Sequence, residues 1–186
     1  MSKKPTPSIE DLKLAVKDPE RLEAVRNTRM LDTGYEAVFD ELTREASYQL
    51  KAPLVLLTLV DEYRDFVKSH VGLSEPNASS QEITDFPTFC QLTVAQREPL
   101  IINDTRDVAM LRYFPSVRFL GVRAHLGVPL VSDGQPIGNC CVIDFRPRQW
   151  TPADIEALTG IATEAMHQLS AAKTRLEAAD EPELAS

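Results

Sequence analysis

The stretch GVRAHLGVPLVSDGQPIGNCCVID, Gly121–Asp144, decides the fold of this chain. Its first part, Val122–Val131, is rich in β-branched and aliphatic residues, and Ile137–Ile143 is apolar again. Between these parts stands SDGQ, and an Asp-Gly pair tolerates the positive φ angles that a short hairpin turn requires. The stretch therefore predicts two antiparallel strands joined by a tight turn.

Composition and charge narrow the class of protein. The chain has 186 residues, of which 43% are hydrophobic and 26% charged, as expected for one globular domain with a proper core. The net charge of −8 argues against electrostatic binding of nucleic acid, although Arg112, Arg118 and Arg123 are close in sequence. Those arginines are interpreted as solvated surface in preference to a phosphate site. No apolar run approaches the roughly 18 residues that span a bilayer, and the N-terminus has no apolar leader. We therefore expect a cytoplasmic protein that contacts neither nucleic acid nor membrane.

The cysteines predict neither a disulfide framework nor a metal site. Of the three, Cys140 and Cys141 are adjacent, and neighbouring residues of a strand point to opposite faces. Cys90 begins a predicted short helix, Phe89–Gln96. No cluster of histidine, cysteine and carboxylate has the short spacing of a metal site, so no metal is predicted.

The segments upstream of the hairpin add further strands. Leu54–Val60 reads LVLLTLV, and a strand that is apolar on both faces belongs in the centre of a sheet. Asp65–Val71 predicts a second strand in which Phe66, Lys68 and His70 share one face, and Lys68 suits an edge strand. A polar loop is predicted over residues 73–88 and a short strand over residues 99–103.

Helices are predicted at both ends of the chain. Residues 1–31 form a helical extension with Ser8 and Asp18 as N-caps. Thr33 and Glu36 have capping-box spacing before an amphipathic helix that ends at Pro53. Its apolar face consists of Val38, Phe39, Leu42, Ala46 and Leu50.

The last helix begins after Thr151, and its apolar residues recur at spacings of three and four. They are Ile155, Leu158, Ala162, Ala165, Leu169, Ala172 and Leu176. The first three are expected to pack on the sheet of their own domain. The last four lie beyond the expected edge of the core, and they predict a homodimer interface: Ala165, Leu169, Ala172 and Leu176. The acidic end, Glu177–Ser186, is expected to be disordered.

Six fragments in this order resemble the GAF domain, in particular the bacterial subgroup found in front of sensor kinases and cyclic-dinucleotide enzymes. They are RMLDTGYEAVFDELT, LTLVDEYRDFVKSHVGL, FC, EPLIINDTRD, GVRAHLGVPL and PIGNCCVID. The resemblance divides the chain into an extension (1–31), a GAF domain (32–166) and a helical extension with an acidic tail (167–186). It implies an α/β (α+β) fold with a central antiparallel sheet of five or six strands. Terminal helices would cover one face, and short helices and loops would form a small-molecule pocket on the other.

The predicted function is that of a non-catalytic sensory domain. It would bind an unidentified small molecule or act as a dimerising module for a signalling partner. Because no output segment fits after Met166, the chain is expected to be either a stand-alone sensor or a fragment of a longer protein, and its first Met and its tail favour the stand-alone form. The candidate pocket residues are Phe66, Phe89, Cys90, Phe119, Arg123, His125 and Cys141. Arg123 would hold an anionic ligand and the aromatic rings would form apolar walls. Each of these residues has a plain alternative as core or pocket rim.

The residues fit four other chemistries less well. A free methionine sulfoxide reductase needs a thiolate and resolving thiols; Cys90 could serve, but the extended cysteine spacing of that family is missing. A cyclic-nucleotide sensor lacks its signature and a glycine-rich phosphate loop here. Bilin attachment lacks its Cys-His pair before the hairpin, where RYFPSV stands. Haem would need an axial ligand from His70, His125 or His167. No cofactor is predicted, and the reductase and the nucleotide sensor stay open as alternatives.

Overall fold

A computed structural model describes residues 6–180, which form seven α-helices and a six-stranded sheet. The helices are α1 (Ile9–Val16), α2 (Pro19–Asn27), α3 (Ala37–Leu50), α4 (Asn77–Ser80), α5 (Phe89–Gln96), α6 (Pro115–Leu120) and α7 (Pro152–Asp180). The strands are β1 (Leu54–Val60), β2 (Asp65–Val71), β3 (Glu82–Ile83), β4 (Leu100–Ile102), β5 (Ala124–Ser132) and β6 (Gln135–Asp144). Two 3₁₀ turns, Thr105–Asp107 and Ala109–Tyr113, precede α6.

The hairpin organises the sheet as the sequence predicted. β5 pairs with β6 from Ala124 to Ser132, and both turn residues have positive φ, 51° at Asp133 and 74° at Gly134. The strand order is β3-β2-β1-β6-β5-β4 with every pairing antiparallel, which places the fully buried β1 in the centre. The predicted α+β class and the position of β1 are confirmed.

Two layers cover the sheet. Val55, Leu57 and Leu59 of β1 point to a core shared with α2, α3 and α7, here called the α3/α7 face. The alternate residues Leu54 and Leu56 point to a second core shared with α1 and α5, here called the α5 face. The helix α1 therefore packs with the short helices, whereas α2, α3 and α7 form the opposite layer.

The C-terminal helix is covered by its own chain further than predicted. Ala165, Leu169 and Ala172 are at most 3% exposed and belong to the core of the α3/α7 face. The expectation that they lie beyond the core is wrong, because α2 and Met30 extend that core alongside α7. An ion pair between Arg29 and Asp180 holds the two ends together. Leu176 remains 36% exposed.

The end of α7 also differs from the expected disordered tail. Residues 177–180 are helical, so that expectation is wrong for them, and residues 181–186 lie outside the described part of the chain. Within residues 6–180, no helix combines the length and the apolar character needed to cross a bilayer.

Lys68 does not protect an exposed strand edge, as the sequence suggested. It lies at a bulge of β2, is 1% exposed and packs over the Phe39 ring at 5.2 Å. Its Nζ donates to Thr33 Oγ1 (2.8 Å), the Gly34 carbonyl (2.8 Å) and Glu36 Oε1 (2.5 Å). The predicted capping box between Thr33 and Glu36 is not formed, because Glu36 is itself the N-cap of α3 and its side chain makes no cap bond. Both side chains accept from Lys68 instead. Lys68 thus anchors the segment before α3 to the sheet.

The predicted loop over residues 73–88 contains two short elements. α4 and the two-residue β3 lie within it, and β3 pairs with the start of β2. The segment crosses the α5 face and forms part of the wall described next.

Candidate functional site

The helix α5 is fixed over the sheet by a capping box. Thr88 Oγ1 accepts from the Gln91 backbone N–H (3.1 Å), and Gln91 Oε1 accepts from the Thr88 N–H (3.0 Å). This reciprocal pair satisfies two helix-end donors and sets the direction in which the helix begins. As a result, the first turn presents Phe89 and Cys90 to the α5 face, where both are at most 4% exposed.

A cavity of about 70 Å³, here called the α5 cavity, lies beside this first turn. Its apolar wall consists of Leu54, Leu56, Leu73, Ile83, Pro87, Phe89, Leu120, Val122 and Ile143. Its polar lining consists of Asp65, Asn77, Asp85, Thr88, Cys90 and Ser116. An apolar wall with a few convergent polar groups is typical of small-molecule sites, although drug-sized sites have roughly 300–1,000 Å³. The α5 cavity suits a few waters or a very small molecule.

Asp65 is the most unusual polar group in this lining. It is fully buried, and its Oδ2 accepts from Thr88 Oγ1 at 2.6 Å, whereas its Oδ1 has no hydrogen-bond partner in the described chain. Burial and the neighbouring Cys90 raise the pKa of Asp65 well above its ordinary value. A buried carboxyl oxygen without a partner costs free energy unless water or a ligand satisfies it. Asp65 Oδ1 is therefore the polar atom of the cavity that a ligand could engage.

The Cys90 thiol is polarised by its neighbours. Asn139 Nδ2 donates to Cys90 Sγ at 3.5 Å. A hydrogen bond from the Cys141 thiol, helped by Thr58 and Asn139, outweighs burial and lowers the pKa of Cys90 to about 7. A thiol with such a pKa is substantially ionised at neutral pH, and the thiolate is the reactive form.

His125 extends the set of buried polar groups beside α5. Its ring stacks on Phe89 with centroids 4.7 Å apart, and neither nitrogen has a hydrogen-bond partner in residues 6–180. Burial lowers the pKa of His125 to about 3, so the ring is neutral. Gly127 makes room for it, because a Cβ there would stand 2.5 Å from His125 Cε1 and 2.8 Å from Asn139 Oδ1. That Asn139 oxygen also lacks a partner.

The structure separates the predicted pocket residues into groups. Phe89 and Cys90 line the α5 cavity, while His125 and Cys141 are buried on the same face without lining it. Phe66 lies on the α3/α7 face, because Asp65 points into the cavity and adjacent strand residues alternate.

Two further predicted pocket residues lie elsewhere. Phe119 is 74% exposed on α6, beside Arg118. Arg123 is half-buried, with Nη1 near the Val122 carbonyl at 3.4 Å, and it does not line the cavity. The role of Arg123 as an anion anchor is not supported at this cavity.

Sequence reasoning missed Asp65, Thr88 and Asn139. The capping-box spacing of Thr88 and Gln91 was a readable signal for where α5 begins. No comparable signal marked Asp65 or Asn139, because their partners come from other elements. Among the described residues, no three His, Cys, Asp or Glu side chains come together as a metal site.

With the sheet, its two layers and the α5 cavity defined, comparison with known proteins gives the family. The family model described as GAF domain matches residues 34–169, more than half of the chain. The chain belongs to the GAF domain family. GAF domains are sensory and signalling modules, and the match agrees with the resemblance found in the sequence.

Similarity to individual proteins is low in sequence and high in fold. A cyclic di-GMP phosphodiesterase of Pseudomonas aeruginosa is 25% identical over 126 residues, which are 64% of this chain and 20% of that protein. The chain thus spans about a fifth of that relative. A domain described as part of a two-component sensor histidine kinase from Sinorhizobium meliloti has a TM-score of 0.63 at 19% identity, covering 80% of this chain and 99% of that one. The GAF domain of an Acinetobacter phosphoenolpyruvate-protein phosphotransferase has a TM-score of 0.59 at 15% identity, covering 84% and 96%. These two structures show the shared fold.

Proposed function

We propose that this GAF domain is a non-catalytic cytoplasmic sensory module whose α5 cavity binds a very small, mainly apolar molecule. The observation that carries the proposal is the unpartnered Asp65 Oδ1 in a cavity whose wall is mainly apolar. A ligand with one polar group would satisfy this oxygen while its apolar part fills the space beside Leu56 and Val122. Displacing water from an apolar wall and restoring a buried hydrogen bond both favour binding.

The cavity is connected to both layers of the domain. β1 contributes Leu56 to the cavity wall and the next residue, Leu57, to the core that contains α7. The wall also includes Leu120 of α6, which is 59% exposed at the surface. A ligand that changes the packing of this wall would therefore act on α6 directly and on α7 through the central strand. This route supports a sensory role.

A homodimer through the terminal helices remains part of the proposal, but its contacts differ from the interface that the sequence predicted. Because Ala165, Leu169 and Ala172 are buried in their own chain, a partner would contact exposed side chains such as Tyr48 of α3 and Leu176 of α7. Light scattering at tens of micromolar tests this point, and a monomer would contradict it. The similarity to one region of a cyclic di-GMP phosphodiesterase supports a signalling enzyme as the partner class.

The ligand proposal is tested by thermal-shift and native mass spectrometry screens of small alcohols, amides and carboxylic acids. Compounds that bind the cavity are expected to stabilise the parent protein and Asp133→Asn, a matched change in the hairpin turn. Asp65→Asn is expected to weaken their binding about tenfold, the effect of losing one well-placed hydrogen bond. Val122→Trp, which fills the cavity, should abolish binding. Equal binding to the parent, Asp65→Asn and Val122→Trp would refute the proposal.

A thiol enzyme is the second candidate, because Cys90 is polarised by Cys141 and Asn139. A free methionine sulfoxide reductase would consume its substrate with a thiol reductant and lose this activity on Cys90→Ser. The absence of turnover in the parent protein would remove this candidate. The nucleotide sensor is not favoured, because the α5 cavity is far smaller than sites for ligands of that size.

A further inference from the structure

We propose that Cys90 and Cys141 form a peroxide-responsive dithiol, in which a peroxide entering the α5 cavity oxidises Cys90 and Cys141 closes a disulfide. This proposal uses the cavity as an entry route and needs no bound ligand. It therefore stands or falls separately from the proposed function.

The sheet brings these two thiols together and keeps the third apart. Cys141 points to the α5 face and belongs to the same buried cluster as Cys90. Asn139, two residues before Cys141 on the same face of β6, donates from Nδ2 to Cys90 Sγ at 3.5 Å, and Cys141 is the largest cause of the lowered pKa of Cys90. Cys140 points to the α3/α7 face, where burial raises its pKa to about 12. Because adjacent residues of a strand point to opposite faces, Cys141 is the neighbour of Cys90 and Cys140 is not.

The two thiols have complementary protonation states. The bond from Asn139 Nδ2 to Cys90 Sγ and the bond from Cys141 stabilise a thiolate at Cys90. The same contact with Cys90 raises the pKa of Cys141 well above its ordinary value, so Cys141 keeps its proton. An attacking thiol reacts best when its pKa is near the ambient pH, which describes Cys90. Cys141 is then the resolving thiol.

The cavity supplies access and a second polar group. Cys90 lines the α5 cavity, and so does Asp65, whose buried Oδ1 has no hydrogen-bond partner in the described chain. Hydrogen peroxide is little larger than water, so a cavity of about 70 Å³ admits it. Burial raises the pKa of the Asp65 carboxyl well above its ordinary value, which favours the protonated form of this group beside the sulfur.

The chemistry balances in two steps. The Cys90 thiolate attacks one peroxide oxygen, the O–O bond breaks, and the leaving hydroxide takes the Asp65 proton to form water. The sulfur is oxidised by two electrons to a sulfenic acid and the peroxide is reduced. Cys141 sulfur then attacks Cys90 sulfur, the S–O bond breaks, and the hydroxide leaves as water with the Cys141 proton. Asp65 regains its proton from solvent.

The product would join the first turn of α5 to the central strand β6. Before oxidation, hydrogen bonds and packing hold these two elements together at this point. A covalent link would fix the wall of the cavity and remove the thiolate from its lining. Peroxide would therefore change the same wall through which the domain senses small molecules.

The test uses the reduced full-length chain and about one equivalent of hydrogen peroxide. Alkylation after unfolding is expected to find one free thiol, Cys140, in place of three, and peptide mapping should find a Cys90–Cys141 disulfide. The parent map alone tests the proposal, so it does not depend on a variant that folds poorly. A map without this crosslink, or with Cys140 oxidised as fast as Cys90, would overturn it.

Matched variants separate the roles of the thiols. Cys141→Ser should stop at the sulfenic acid, which dimedone traps on Cys90. Cys140→Ser changes the adjacent residue on the other face and should still give the disulfide at the parent rate. Cys90→Ala should slow peroxide consumption at least about tenfold, because only protonated buried thiols remain. Unchanged consumption by folded Cys90→Ala would contradict the proposal.

Discussion

The two faces of the sheet differ in whether their buried polar side chains have hydrogen-bond partners. On the α3/α7 face, the buried Lys68 ammonium has three oxygen partners and an aromatic ring beneath it. On the α5 face, Asp65 Oδ1, both ring nitrogens of His125 and Asn139 Oδ1 are buried without a partner, and these four are all such side-chain atoms found in residues 6–180. The α5 cavity lies on this second face.

Under the proposed function, this difference divides the domain into a face that stabilises the fold and a face that holds the ligand site. Unpartnered buried polar atoms lower stability, and natural proteins tolerate them mainly where they serve a site. The α3/α7 face has the apolar core and the fully partnered cation that hold the fold. The α5 face contains the unpartnered polar atoms, the Cys90 thiol and the cavity in which we propose that a ligand binds.

The largest expected effect compares adjacent leucines of β1. Leu57→Ala removes a side chain packed on the α3/α7 face and should lower the free energy of unfolding by about 3–4 kcal/mol. Leu56→Ala should cost about 1 kcal/mol less, because Leu56 borders the α5 cavity and loses fewer contacts. Urea denaturation of both variants measures the difference. Equal costs would show that the two faces are packed alike.

The sequence predicted the elements that depend on local patterns. The Asp-Gly turn, the apolar β1 and the start of α5 each follow from a few neighbouring residues. The site depends on contacts across the chain, such as Thr88 with Asp65 and Asn139 with Cys90. The Ala165–Ala172 stretch also depends on contacts across the chain. Its periodicity predicts that these residues are buried, but it does not tell whether they pack against α2 and α3 or against a second chain.

Lys68 tests whether the hydrogen-bonded buried cation of the α3/α7 face stabilises the fold. Lys68→Met keeps the chain length but leaves the Gly34 carbonyl and Glu36 without their donor. The expected loss is about 2 kcal/mol, less than for a wholly buried pair, because the Glu36 side chain is 36% exposed and can be hydrated. Lys13→Met, at an exposed ion pair of α1, is the control and should change stability by at most about 0.5 kcal/mol. If Lys68→Met lowered the free energy of unfolding as little as Lys13→Met, the partnered polar group of the α3/α7 face would not stabilise the fold, and the two faces would not differ in this respect.

His125 predicts an acid-dependent loss on the α5 face. Its folded-state pKa of about 3 lies below the ordinary value of 6.5, so the unfolded chain takes up a proton in this window and the folded chain does not. Stability is therefore lost as the pH falls below about 6.5, by about 2 kcal/mol between pH 7 and pH 5.

The variant His125→Leu should lack this part of the loss. The readout is the change in unfolding free energy between the two pH values, so an unequal packing cost at pH 7 does not affect it. His167→Leu, at a ring that is 72% exposed on α7, is the matched control and should retain the parent's loss. If His125→Leu keeps the full loss, the ring is not held neutral by burial.

Asp65 should give the smallest effect, with the opposite pH dependence. Its folded-state pKa is raised, so the folded chain holds this proton more tightly than the unfolded chain, and stability is lost as the pH rises above the ordinary value of 3.8. Asp65→Asn removes that loss and keeps an acceptor for Thr88. It should be more stable than the parent by about 1 kcal/mol at pH 7, with the gain shrinking toward pH 4, while Asp133→Asn shows no such trend.

A variant that gains stability yet binds the cavity ligands about tenfold more weakly would show that Asp65 is kept for the site and not for the fold. If Asp65→Asn were less stable than the parent at pH 7, Asp65 would be a structural residue, and the α5 face would then resemble the face that holds Lys68.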